Sequence, residues 1–80
     1  MTPWLDSTVE RLARALGAEP EALRISDDDA ALLLDLAAFA ARDSGERTNA
    51  PLLCHVLGML RAAGAPLGAL AVALRGEEPG

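Results

Sequence analysis

The sequence predicts an all-α fold, a compact four-helix domain with short loops. Three observations predict it. Alanine and leucine supply 17 and 15 of the 80 residues. Strand formers are scarce, with no Tyr, one Phe, one Ile and three Val. Apolar residues recur at helical spacing between proline and glycine punctuation marks. The predicted organisation is one helical domain over residues 1–76 and a flexible tail over 77–80.

The first helix is predicted over 3–16. Thr2 is placed to cap it, Pro3 suits the first helical position, and Gly17 suits a left-handed stop. Leu5, Val9, Leu12 and Leu16 form its apolar stripe, with Trp4 at the edge. In the connection that follows, Glu19-Pro20-Glu21 can start one helical turn. Leu23 and Ile25 are expected to plug the end of the core.

The second helix is predicted over 27–43. Ser26 followed by Asp29 matches a capping pattern, and three aspartates crowd the first turn, where the helix dipole favours anions. Its apolar residues cover roughly 220° of the helical wheel, so it is expected to be central. Asp28, Ala31, Asp35, Ala38 and Arg42 make the remaining strip.

The third helix is predicted over 51–63, opening at Ala50-Pro51 and stopping near Gly64. Leu52, Leu53, Val56, Leu57, Met59, Leu60 and Ala63 are expected to make its apolar face. Gly58 and Ala62 form a small pair read as a close approach to the next helix. The fourth helix is predicted over 66–75. The expected core is Leu12, Leu16, Leu33, Leu36, Phe39, Leu53, Leu57, Leu60 and Leu70.

Composition narrows the function classes. The net charge of −5 and a sequence pI near 4.6 argue against a nucleic-acid partner, because phosphate needs a basic face. The longest uncharged runs, 48–60 and 62–74, are shorter than the ~20 residues that span a bilayer, so no membrane span is expected. The opening Met-Thr-Pro-Trp-Leu-Asp has no basic region of a signal peptide, and a cytoplasmic location is expected. Arginine occurs seven times and lysine never, a usage associated with GC-rich genomes.

Catalytic chemistry finds little support. Cys54 and His55 are adjacent and point about 100° apart on a helix, and there is no second His, so no metal site is expected. Cys54 has no neighbouring cations to activate it as a nucleophile. Asp27, Asp28 and Asp29 read as dipole and cap chemistry, not a calcium loop. No phosphate loop or nucleophile elbow occurs, and no cofactor or catalytic residue is assigned.

One polar constellation stands out. Asp35 interrupts a wholly apolar run and lies near Arg42 on the wheel. With Arg47, Asn49 and His55 it forms a candidate corner for a partner or ligand, in which the arginines offer forks to carboxylate or phosphate. Ala50 is a poor cap, so Asp35 or Asn49 is expected to accept from the first amides of the third helix. Two readings stay open here. A structural clamp predicts that Asp35→Asn costs about 1–3 kcal/mol. A recognition site predicts unchanged stability and lost binding.

The order Trp4-Leu5, Leu34-Asp35-Leu36-Ala37, Ala50-Pro51 and Val56-Leu57-Gly58 resembles a small actinobacterial helical domain family of unknown function. The resemblance spans about residues 4–75. Arg42 stands where that family tends to have a histidine, and His55 where it often has an aromatic. The family's domain occurs alone or behind a nucleotidyltransferase domain that resembles molybdenum-cofactor guanylyltransferase. The resemblance implies a non-enzymatic accessory or interaction domain associated with a nucleotidyltransferase of molybdenum-cofactor biosynthesis. The alternative is a small anionic-ligand-binding domain, or an enzyme component, using the Asp35/Arg42/His55 corner. A homodimer is also expected, because the apolar arcs of the second and third helices are wide for so short a chain.

Overall fold

The computed structural model describes residues 2–76. The tail expected at 77–80 lies outside the described residues. The fold is all-α, with helices α1 (Pro3–Leu16), α2 (Asp27–Ser44), α3 (Asn49–Ala62) and α4 (Leu67–Arg75) and a 3₁₀ turn at Pro20–Leu23. No strand occurs among the described residues. The chain divides into two units, one up to Ala30 and one from Ala31 onward.

In the first unit, the Thr2 hydroxyl accepts from the Leu5 amide at 3.2 Å, which fixes the start of α1. Gly17 ends it at φ 69°, a conformation that costs a side-chain-bearing residue about 1–2 kcal/mol. That turn lets the Ala18 amide reach back to the Ala13 carbonyl at 2.9 Å. The 3₁₀ turn packs against α1. Arg24 pairs with Glu10 at 3.6 Å and Glu21 at 3.5 Å, at partly exposed side chains where such pairs contribute little. Val9 and Ala13 are the buried residues of α1. Leu12 and Leu16, expected in the core, are instead exposed, Leu16 by 78%. Leu16 is the last residue of α1, and the chain turns away at Gly17 immediately beyond it. Leu23, expected as a plug, is also exposed.

Ser26 caps α2 as its spacing predicts, its hydroxyl accepting from the Asp29 amide at 3.1 Å. From Ala31 onward α2, α3 and α4 share one core. Leu36, Leu57, Leu67 and Ala71 are buried, with Leu32, Leu33, Leu53, Leu70 and Leu74 packed against them. The covered residues of α2 span about 200° at 100° per residue. The expected strip Asp28, Ala31, Asp35, Ala38 and Arg42 is exposed. Leu34 is the departure: it borders that strip and is 72% exposed. The centrality expected of α2 is therefore incomplete, because only Leu36 and Ala40 along it are buried.

α3 departs further. Of its expected apolar face only Leu57 is buried, while Leu52, Val56 and Met59 are exposed, as is Leu60, which was expected in the core. The core of this unit takes one narrow stripe of α3, through Leu53 and Leu57, and α4 is only nine residues long. At the end of α3, Gly64 adopts φ 108°, so that its amide reaches Arg61 and the Ala65 amide reaches Leu60. This Schellman turn sends the chain back into α4, which packs on α3. The pair Gly58 and Ala62 does not form the close approach expected of it. Both are exposed, and a Cβ at Gly58 would meet nothing within 4 Å.

Candidate interaction face

The polar corner does not assemble as the helical wheel suggests. Asp35 is 75% exposed and pairs with Arg75 of α4, Oδ2 to the guanidinium at 3.8 Å. Arg42 is exposed on the same strip of α2, Arg47 lies in the loop between α2 and α3, and His55 is exposed on α3. Among the described residues, no ion pair or hydrogen bond of the structure joins Asp35 to Arg42, Arg47, Asn49 or His55. The wheel places Asp35 against its neighbours in sequence, whereas the fold brings it the end of α4, forty residues later.

The start of α3 is also built differently. Neither Asp35 nor Asn49 caps it. The loop does so with its own backbone: the Asn49 amide donates to the Glu46 carbonyl and the Ala50 amide to the Arg47 carbonyl, both at 3.1 Å. The loop is braced by Ser44, whose hydroxyl donates to the Ala40 carbonyl at 2.6 Å and accepts from the Glu46 amide at 3.2 Å. Thr48 donates to the Glu46 carboxylate at 3.2 Å. A turn this complete in local bonds needs no acid from α2.

Beside this loop lies an open groove of about 360 Å³. Phe39 and Ala40 of α2, Leu52, Leu53 and Val56 of α3, and Leu74 of α4 make it almost wholly apolar. Asp43, Ser44 and Asn49 edge it with polar atoms. Of the five residues singled out from sequence, only Asn49 touches it. A concave apolar floor with a few polar atoms at one end suits an apolar side chain of a partner, whose own polar backbone can meet the rim.

The groove continues onto exposed α3. Leu52, Val56 and Met59 recur at spacings of four and three, and Ala63 extends the stripe at the helix end. The sequence places these residues on the apolar face of the third helix, because their spacing is that of a buried face. The same spacing describes a helix face that awaits a partner. Among the described residues no group of three or more His, Cys, Asp or Glu is placed to hold a metal ion, and no helix is long and apolar enough to cross a membrane. Comparison with protein-family models, curated proteins and solved structures gave no match.

Proposed function

We propose that this chain is a non-enzymatic helical interaction domain that receives apolar side chains of a protein partner in the Phe39–Leu52–Val56 groove. The observation that carries this reading is the exposure of that apolar surface, with Leu52, Val56 and Met59 of α3 left uncovered by the rest of the chain. Exposed contiguous apolar surface of this kind costs solubility and marks interaction sites. The resemblance described above supplies the partner class: a nucleotidyltransferase of molybdenum-cofactor biosynthesis, in the cytoplasm. The competing anionic-ligand reading is weaker, because Asp35 pairs with Arg75 of α4 and not with Arg42, and Arg42, Arg47 and His55 are all exposed.

The test is calorimetric titration of the chain into a purified guanylyltransferase-like nucleotidyltransferase from the same genome. Leu52→Asp places a charge on the groove wall at an exposed position, so the fold is kept and binding is expected to fall at least tenfold. Equal binding by the wild type and Leu52→Asp, or no binding by either, overturns the proposal. Titration with inorganic phosphate tests the competing reading and is expected to give no heat.

A further inference from the structure

We infer that, in the free protein, a second copy of this chain covers the exposed face of α3, the two helices lying antiparallel about a two-fold axis between Val56 and Met59. The inference rests on reading this surface as an interaction surface, and it names an occupant.

Spacing gives the first argument. Leu52, Val56, Met59 and Ala63 follow the four-three-four rhythm of a coiled-coil seam, with Leu60 flanking it. In an isologous antiparallel pair Leu52 meets the second copy's Ala63, and Val56 meets its Met59, large against small at the ends and medium against medium at the centre. Antiparallel packing also sets the two helix dipoles head to tail.

Charge gives the second. Residues 48–60 contain no Asp, Glu, Lys or Arg. Residues 31–76 hold three acids against four arginines, whereas residues 2–30 hold seven acids against three arginines. Residues 31–76 are thus nearly balanced in charge, and two copies meet at α3 neutral on neutral. A strongly charged partner gains nothing from this seam; an uncharged apolar face does.

Area gives the third. Leu52, Val56, Met59 and Leu60 are 64%, 43%, 54% and 43% exposed. At about 30 Å² per methyl or methylene group, they offer roughly 250 Å² of apolar area per protomer. Two copies contribute roughly 500 Å², close to the apolar share of an interface of about 1,000 Å², the lower edge of specific association. The structure therefore points to a weak dimer that forms in the micromolar range and gives way to a tighter partner.

The experiment is sedimentation equilibrium of the full chain between about 10 and 500 µM, a span that brackets micromolar dissociation constants. The wild type is expected to rise from 8.3 kDa toward twice that mass. Met59→Glu, on the seam but outside the groove, is expected to stay monomeric throughout. Met59→Gln, a milder change, is expected to weaken the dimer at least tenfold, and Ala38→Glu on the exposed strip of α2 is expected to behave as the wild type. Circular dichroism of each variant checks that the helices remain. A wild type that stays at 8.3 kDa, or a Met59→Gln that dimerises as well as the wild type, overturns the inference. Failure here leaves the nucleotidyltransferase titration untouched, and a dimer that binds no nucleotidyltransferase overturns only the reading of the previous subsection.

Discussion

Leu36→Ala tests the packing of the second unit most severely. Leu36 is fully buried among Leu57, Leu67 and Ala71, and no part of its side chain reaches water. The substitution removes three carbon groups, a transfer loss of about 2.4 kcal/mol at ~0.8 kcal/mol each. The remaining cavity adds about 24 cal/mol per Å³, unless neighbouring side chains collapse into it. A total near 3 kcal/mol follows, inside the 2–5 kcal/mol range of such truncations, and for so small a chain it lowers the melting midpoint by roughly 12–24 °C. Leu34→Ala, two residues away on the exposed side, removes the same atoms and is expected to cost under about 0.5 kcal/mol. The assay is urea unfolding followed by circular dichroism, with a thermal melt of each variant. Equal destabilisation by the two substitutions refutes the burial pattern assigned to α2.

Three further outcomes are expected. Asp35→Asn breaks only an exposed pair with Arg75 and should change stability by less than about 1 kcal/mol, with any loss shrinking in high salt, as chemical denaturation at two ionic strengths will show. Ser26→Ala removes the cap of α2 and should cost about 0.5–2 kcal/mol in the same assay. Gly58→Ala meets no neighbour within 4 Å on an ordinary helical backbone and should stabilise by roughly 0.5–1 kcal/mol, whereas Gly17→Ala, at φ 69°, should destabilise by about 1–2 kcal/mol; paired thermal melts distinguish the signs.

The helix ends were legible because caps are local. Thr2, Ser26 and Gly17 act within a few residues of themselves, and the structure uses each as its residue type suggests. The wheel of α2 was legible for the same reason, down to its exposed strip. Leu34 shows the limit. An apolar side chain at the border of a strip carries no mark that says whether another helix reaches it. On α3 the limit widened, since Leu52, Val56 and Met59 have the spacing of a buried face while the neighbouring helices leave them uncovered. The groove itself left no mark in the sequence, because its walls are apolar side chains that read like any core residue. Asp35 was matched to Arg42 by helical geometry, but its partner in the fold is Arg75, which only tertiary packing brings near. The N-terminus of α3 was expected to borrow an acid from α2, when the loop's own carbonyls and Ser44 suffice.

The account's central claim is that the groove and the adjoining face of α3 are where this chain meets other proteins. The most direct measurement is a two-dimensional ¹⁵N–¹H spectrum of the labelled chain, recorded with and without the nucleotidyltransferase. The account predicts that the perturbed amides cluster at Phe39, Leu52, Leu53 and Val56, while those of Asp28, Ala31 and Ala38 stay in place. Perturbations confined to the strip carrying Asp35 and Arg42, or a spectrum unchanged by an excess of the nucleotidyltransferase, would contradict it.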